Sequence, residues 1–263
     1  MVPVLYDNGT PVTLPGTAPS TCPAGTVVDI ASGPSNVCTI VQTKPGAPVS
    51  NVICCWGESN QIIKLGATAV ASQTVVHAPG LLMDRLPVLT AGTSWKQITV
   101  GGNKNKNKDR KQAHACVLDT AGNAYCWGKS KGRLGFSAGK MSYESTPGRA
   151  LPGKIIKAVA AGGKHTLFLL ADGSLIGAGA NKKKQLGIGA NTDNLGDQTT
   201  VPWPASHGRV VAIAAGYNFS CALSVSIRPF VRCWGANDMG QLGLEANVPP
   251  FSGMLNEVKG LPK

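Results

Sequence analysis

Cysteine, histidine and lysine are the residues of this sequence whose types and spacing could do chemistry. Eight cysteines are present, and six of them fall into three pairs of similar spacing: Cys38 and Cys55, Cys116 and Cys126, Cys221 and Cys233. The sequence contains no CxxC motif, so these spacings do not indicate a zinc site. Two interpretations remain, namely disulfides or small buried side chains.

A search for catalytic motifs favours a protein that is not an enzyme. No HExxH motif is present, and no pair of carboxylates stands out. Gly128-Lys129-Ser130 has the residue types that end a phosphate-binding loop, but position 123, where such a loop needs Gly, is Asn. His114 and His165 occupy matching places in two similar segments, where packing or turn hydrogen bonding is the usual role. We therefore expect no catalytic residue, no metal and no cofactor.

Four segments of the chain share one pattern, which is typical of a repeat protein. Each has a short apolar run ending in Gly, an alternating run, a turn, and a third run ending in Trp-Gly or Ala-Gly. A polar turn ending in Leu-Gly follows. The segments occupy residues 30–66, 98–135, 158–187 and 212–243. Alternation with a period of two between Gly-rich turns predicts β-strands, and a meander of three or four strands per copy predicts blades of a β-propeller.

The turn between the second and third runs predicts which residues face each other. In the third copy, Ala171-Asp172-Gly173 fits a three-residue hairpin loop with Gly in the left-handed position. The second copy has a loop of the same length at Thr120-Ala121-Gly122. This loop places Cys116 opposite Cys126 on neighbouring strands.

The paired cysteines are present or absent together. In the third copy the two matching positions hold Leu167 and Gly177, and neither is a cysteine. This joint loss favours disulfides over isolated small buried residues. Cys22 and Cys54 are left over, and they could bond each other.

These segments resemble the repeat family of the regulator of chromosome condensation. The resemblance is carried by His114-Ala115-Cys116-Val117-Leu118, by Tyr125-Cys126-Trp127-Gly128 and most fully by residues 233–243, which read CWGANDMGQLG. It covers roughly residues 27–263. Because family members usually close seven blades, four copies imply a small, open or partial propeller, or a ring that another chain completes. Trp56, Trp127 and Trp234 are expected to be core residues of their blades.

The predicted organisation is one all-β propeller domain made of four repeats and a preceding segment. Residues 1–26 contribute a fourth-strand piece at Pro11–Gly16. The repeats are expected at 27–97, which carries an insertion, and at 98–157, 158–211 and 212–263.

The charge balance is strongly basic, with 25 Lys and Arg residues against 13 Asp and Glu residues and a formal net charge of +12. In an antiparallel meander, the loops after the first and third strands lie on the same face. Twelve basic residues of the second and third repeats fall in these loops: Lys104, Lys106, Lys108, Arg110, Lys111, Lys129, Lys131, Arg133, Lys164, Lys182, Lys183 and Lys184.

A lysine run is often no more than a solvated loop, and that interpretation stays open. The convergence of four loops on one side favours a basic face that binds phosphates, sulfates or acidic protein patches. Such binding should weaken as salt rises. No aromatic residues interleave the longest run at 101–111, so base stacking is not expected.

Three functions remain open from the sequence. The first is a non-enzymatic recognition or adhesion module that is extracellular or at the cell surface, which the resemblance to Cys-paired secreted members of the family implies and which disulfides favour. The alternative is an intracellular regulator, either an exchange factor for a small GTPase or a propeller that binds chromatin or RNA. The third is an enzyme inhibitor. The expected partner is another protein or an anionic surface, such as a glycan, an envelope polymer or nucleic acid. A second chain could also complete the ring, and no membrane span is expected because no stretch of about 18 apolar residues is present.

Overall fold

Antiparallel β-sheets form the computed structural model of the protein. It describes residues 6–7, 10–11, 22, 25–43, 51–58, 75–81, 86–87, 89–102, 113–136, 143–188, 195–227, 229–244 and 251–258. A two-stranded ribbon of Tyr6–Asp7 (β1) and Thr10–Pro11 (β2) comes first. Of the fourth-strand piece predicted at Pro11–Gly16, only Pro11 belongs to the described residues.

Four larger sheets follow, each of four strands in the order of the chain. The first sheet contains Gly25–Ser32 (β3), Asn36–Thr43 (β4), Asn51–Glu58 (β5) and Val75–Leu81 (β6). The second contains Trp95–Gly101 (β7), His114–Asp119 (β8), Ala124–Lys129 (β9) and Tyr143–Ala150 (β10). The third contains Ile156–Ala161 (β11), His165–Leu170 (β12), Leu175–Gly179 (β13) and Leu195–Thr200 (β14). The fourth contains Arg209–Ala215 (β15), Phe219–Val225 (β16), Pro229–Ala236 (β17) and Phe251–Glu257 (β18).

This architecture confirms the predicted all-β class and the meander within each blade. Its helical content, within the described residues, is a single 3-10 turn at Ala205–His207. None of the described segments is a helix of sufficient length and apolarity to span a bilayer.

The sheets stack face to face, and the core lies in the layers between them. The first strands carry the stacking, because β7 packs between β3 and β11, and β11 packs in turn against β15. Ile40, Trp95 and Val117 meet between the first and second sheets, and a similar apolar layer fills each of the next two interfaces. In the described part of the chain, the stacking does not return from the fourth sheet to the first. The molecule is therefore an open, partial propeller.

The predicted hairpin register is confirmed. Leu167 pairs with Gly177, and Cys116 pairs with Cys126. The loops carry glycines with positive φ, 87° at Gly122 and 89° at Gly173, because the third residue of this loop type adopts the left-handed conformation.

Disulfides join all eight cysteines in the predicted pairs. Three of them cross between neighbouring strands of one sheet, with Cα atoms 4.1 Å apart: Cys38–Cys55, Cys116–Cys126 and Cys221–Cys233. The fourth, Cys22–Cys54, ties the segment that precedes β3 to β5 over a separation of 32 residues. Cys22 packs there on Val41 and Val52, on the side of the first sheet that faces away from the second.

We predict that the hairpin disulfide of the second sheet contributes about 2 to 3 kcal/mol to the free energy of unfolding, because it constrains the unfolded chain. The test variant, Cys116→Leu with Cys126→Gly, carries the residues that the third sheet uses at these positions, so the packing type is preserved. Urea unfolding without reductant should show a lower midpoint for the variant. Equal midpoints would contradict the prediction, as would eight alkylatable thiols in the intact mass of the unreduced protein.

Candidate binding face

Two sets of loops meet on one face of the molecule, as the meander requires. In the third sheet, the amide of Ala180 after β13 donates to the carbonyl of Lys164 before β12 at 2.9 Å. The second sheet repeats this contact from Lys129 to Ala113 at 2.8 Å, and the fourth from Ala236 to Asn218 at 2.9 Å. The loop after the first strand therefore lies beside the loop after the third strand in each of these sheets, and we call their common side the loop face.

The structure places six of the twelve predicted basic residues on the loop face. Lys131, Lys182 and Lys183 are exposed, and Lys129, Lys164 and Lys184 are partly buried. Five others lie outside the described residues: Lys104, Lys106, Lys108, Arg110 and Lys111. Their role in binding stays a prediction.

Arg133 is a correction, because its side chain is buried between the second and third sheets instead of facing solvent. It is only 2% exposed, and burial lowers the pKa of its guanidinium to about 10. Arg133 occupies the position that Gln185 and Gln241 occupy in the next two repeats, and this position of the loop points inward. A charge count along the sequence could not separate this residue from its exposed neighbours.

Lysine occupies a position on the loop face where glycine would fit better. Lys184 has φ of 60°, and the matching residue of the fourth sheet, Gly240, has φ of 74°. The two residues are equivalent because each closes the same turn. The amide of Lys184 donates to the carbonyl of Asn181, and the amide of Gly240 donates to the carbonyl of Asn237. A lysine in this conformation costs about 1 to 2 kcal/mol relative to the right-handed region. A positive charge is thus held at the tip of the loop against a backbone preference.

The basic character of the loop face decreases at the fourth sheet. Its matching loop carries Asp238 and an exposed Met239 where the third sheet carries lysines. A hydrogen bond from the Gln241 side chain lowers the pKa of Asp238, so it is a carboxylate at neutral pH. Among the described residues, the lysine side chains of the loop face therefore lie over the second and third sheets.

Beneath the loop face, side-chain hydrogen bonds connect each sheet to the next. The ring Nε2 of His114 lies 2.9 Å from the hydroxyl of Thr166, which donates to the carbonyl of Arg133 at 2.7 Å. The next interface repeats this arrangement, with Nε2 of His165 2.9 Å from the Ser220 hydroxyl. Ser220 donates in turn to the carbonyl of Gln185, which also accepts from Nε1 of Trp234. The two histidines are buried connectors between sheets, which agrees with a packing role and leaves them unable to reach a substrate.

A further motif, Gly135-Phe136-Ser137-Ala138-Gly139, fits the GxSxG pattern of serine hydrolases. That chemistry requires the serine on a tight turn between a strand and a helix. Gly135 lies in the turn after β9, its carbonyl accepts from the amide of Leu151, and the next described element is strand β10. Ser137 is outside the described residues, but the strand that follows does not match the hydrolase context.

An open groove lies at the opposite end of the sheets, beside the hairpin loop of the third sheet. It has a volume of about 620 Å³ and is lined by Asp172, Ser174, Trp203 and Arg209, among others. The Arg209 guanidinium donates to the carbonyl of Ala171, and Ser174 donates to Asp172, so these polar groups have partners within the chain. Within the described residues, no cluster of His, Cys, Asp and Glu could hold a metal ion.

Comparison with known proteins identifies the repeats. Residues 156–185 and 210–241 match a model described as the regulator of chromosome condensation (RCC1) repeat, and residues 172–223 match a second model of the same description. The third and fourth repeats are RCC1 repeats. The resemblance to this repeat family is confirmed.

Relatives with RCC1 repeats extend the match. The chain is 34% identical over 139 residues to the mitochondrial RCC1 domain-containing protein RUG3 of Arabidopsis thaliana, covering 49% of the chain and 30% of the relative. It is 32% identical over 153 residues to the ultraviolet-B receptor UVR8 of the same plant, covering 57% and 33%. Human Protein RCC2 is 32% identical over 136 residues, covering 50% and 24%. The chain therefore spans a quarter to a third of the length of these relatives.

A solved structure supports the propeller fold. The yeast RCC1 protein Prp20, in its complex with Kap60, superposes with a TM-score of 0.68 at 20% identity, covering 91% of this chain and 50% of Prp20. The chain thus spans about half the length of Prp20.

We predict that acid destabilises the folded protein through His114 and His165. Burial, with the Arg133 guanidinium as the next cause, lowers the pKa of His165 to about 3 and holds that of His114 well below its usual value. An unfolded histidine titrates near 6.5, so the unfolded state gains protons first as the pH falls. Their stabilising contribution is complete above about pH 6.5 and should fall by about 2 kcal/mol per histidine at pH 5.

Urea unfolding at pH 7.5 and pH 5 measures this loss. The variant His165→Gln keeps a hydrogen-bonding side chain opposite Ser220 but cannot take up a proton. It should be less stable at pH 7.5, and its stability should fall less on acidification than that of the natural sequence. An equal fall in both proteins would show that the histidines do not cause the acid sensitivity.

Proposed function

We propose that this protein is a non-enzymatic binding module that uses the lysines of the loop face to bind an acidic surface of a partner protein. The observation that carries the proposal is Lys184, which keeps a charge at a left-handed position where the fourth sheet has glycine. Beside it stand Lys182 and Lys183, and Lys164 lies in the adjoining loop of the same sheet. Flexible lysines recognise dispersed negative charge without strict geometry.

The relatives support a protein as the partner. The yeast RCC1 protein was solved bound to Kap60, and a second structure of it is described by its binding to Gsp1p and histones. Both cases concern contacts with other proteins. Propellers present their loops on a rigid scaffold, which suits recognition without catalysis.

We further propose that the protein works in an oxidising compartment, at the cell surface or outside the cell. Four disulfides support this, because such bonds persist where thiols are not kept reduced. The intracellular regulator remains the second candidate, since the relatives include Protein RCC2 and the yeast RCC1 protein. The compartment of the protein in its source cell, measured together with its thiol count, decides between them.

The binding proposal is tested with poly-glutamate as an acidic polypeptide probe, in a salt series. Lys182→Glu with Lys183→Glu should weaken binding at least tenfold and reduce the salt dependence, because two contacts with the probe are lost. The matched control is Lys154→Glu with Lys157→Glu, which makes the same change in net charge. Lys154 lies at the hairpin end, close to the Asp172 carboxylate.

The control should bind within about twofold of the natural sequence, since local contacts and not total charge set the affinity. An equal loss in both variants would mean that only net charge matters, and the loop face would then have no binding role.

A separate prediction concerns Lys184→Gly. Removing the left-handed lysine should raise the free energy of unfolding by about 1 kcal/mol, because glycine adopts this conformation without steric cost. The same substitution should weaken poly-glutamate binding about threefold, because one positive charge is lost. Urea unfolding and the binding series measure both effects on one protein. A variant that is more stable and binds equally well would show that Lys184 has no part in recognition.

A further inference from the structure

The first and fourth sheets each have one face on which no described sheet packs. On the first sheet, Cys22 covers Val41 and Val52 on that face, whereas Val37 and Trp56 are only half-buried. In the second and third sheets, every residue of β8 and β12 is buried, because another sheet packs on both sides. In the fourth sheet, buried residues of β16 alternate with half-buried Phe219 and Leu223 and with Val225, which is 41% exposed. On the first sheet, Val27 and Ile30 are 40% and 46% exposed. The exposed side chains named on these two faces are apolar.

Equivalent positions show what these faces lack. In all four sheets, the first residue of the second strand pairs with a glycine of positive φ in the third strand. The four residues at this first position are Asn36, His114, His165 and Phe219. The first three are buried against the following sheet, whereas Phe219 is half-buried. The next residue of each strand is on the opposite face, and these are Val37, Ala115, Thr166 and Ser220. The last three are fully buried, whereas Val37 is not.

The chemistry of these positions is matched at two of the three interfaces; at the first interface the corresponding residues are Asn36 and Ala115. His114 meets the hydroxyl of Thr166, and His165 meets the hydroxyl of Ser220. Both members of the contact are polar in these two cases. The side chain of Phe219 on the open face of the fourth sheet has no polar group, and neither has that of Val37 on the open face of the first. The two uncovered positions are therefore complementary to each other.

The tryptophan of each blade gives a second, independent comparison between the first sheet and the sheets that have a neighbour on this side. Trp127 and Trp234 are fully buried, and Nε1 of Trp234 donates to the carbonyl of Gln185 in the preceding sheet at 2.9 Å. Trp56 holds the same place on the first sheet, where no described sheet precedes it, and it is only half-buried.

The loop that such a tryptophan requires exists at the other open face. In the third sheet, Gln185 Oε1 accepts from the amide of Lys183, and Asn181 Oδ1 accepts from the amide of Leu186. Residues 237–243 of the fourth sheet repeat both bonds, with Gln241 Oε1 accepting from Met239 and Asn237 Oδ1 from Leu242. The Gln241 carbonyl is therefore held as the Gln185 carbonyl is.

Cys22, which precedes the first sheet, can be compared with the linker residues that precede the fourth sheet. Val201 and Trp203 precede the fourth sheet and pack in the layer between the third and fourth sheets. Cys22 precedes β3 and packs, through its bond to Cys54, on the outward side of the first sheet. It thus takes the position that linker residues take between stacked sheets.

We propose that two copies of this chain associate head to tail, with the fourth sheet of each packed on the first sheet of the other. Phe219 of one copy then covers Val37 of the other, and Trp56 donates to the carbonyl of Gln241. Such an interface is heterologous, and two of them close a ring of eight sheets, which is within the range of known propellers.

The experiment measures mass in solution, by light scattering and sedimentation, for the full chain with its disulfides intact. The natural sequence should be a dimer. Phe219→Lys alone and Val37→Glu alone should each weaken dimerisation at least a hundredfold, because each leaves a charge buried against an apolar residue at both interfaces. Ile155→Lys is the matched control, because Ile155 is 64% exposed at the hairpin end and should leave the dimer unchanged.

Mixing the two single variants distinguishes head-to-tail pairing from other arrangements. The mixed ring has one interface where the introduced lysine faces the introduced glutamate and one with the natural residues, so the dimer should return to within about tenfold of the natural affinity. A monomer at every concentration would overturn the proposal and leave the open faces to another stretch of chain or a different protein. Failure of the mixture to restore the dimer would also overturn it, since fourth-sheet to fourth-sheet pairing gives that result. Unfolding midpoints confirm that each variant is folded.

Discussion

Burial of both faces of a small antiparallel sheet is the constraint on which this structure depends. Each sheet is largely apolar on its two sides, so it is stable only when a neighbour covers it. The interfaces of the third sheet with the second and fourth sheets combine an apolar layer with a short chain of polar contacts, in which a histidine, a hydroxyl and a loop carbonyl succeed one another. Because these polar groups are buried, a wrong alignment of two sheets would leave them without partners. The contacts therefore help to specify how each sheet sits on the next.

The positions of the loops on the loop face depend on this stacking. The same loop that supplies the buried carbonyl of Arg133 or Gln185 also presents lysines outward, so its inner side fixes the sheets and its outer side meets solvent. A change in packing beneath the loop would move the charges above it. Recognition by the loop face and stability of the stack are thus linked through a few backbone groups.

Much of this fold could be predicted from the sequence because it is encoded in local patterns. Alternation and turn residues predicted the strands, and the loop length around Gly122 predicted the pairing of Cys116 with Cys126. The burial of Arg133 could not be predicted, because it depends on which side of a turn faces the next sheet. Nor could the left-handed backbone of Lys184, since lysine is a poor indicator of that conformation. The residues at 103–112, which carry five of the predicted basic side chains, lie outside the described part.

The placement of the disulfides has a mechanical consequence. The cross-strand bonds lie within single sheets, and the bond from Cys22 ends in the sheet that its own segment precedes, so the contacts between sheets are non-covalent. A chain pulled at its ends would unfold one sheet at a time. The residues between two disulfide-bonded cysteines could not extend, because the bond holds both ends of their loop together. The third sheet, which has no disulfide, would release its full contour length. Oxidation thus shortens the extension released by the first, second and fourth sheets without strengthening the junctions between sheets, and the protein would act under load as a series of separable units.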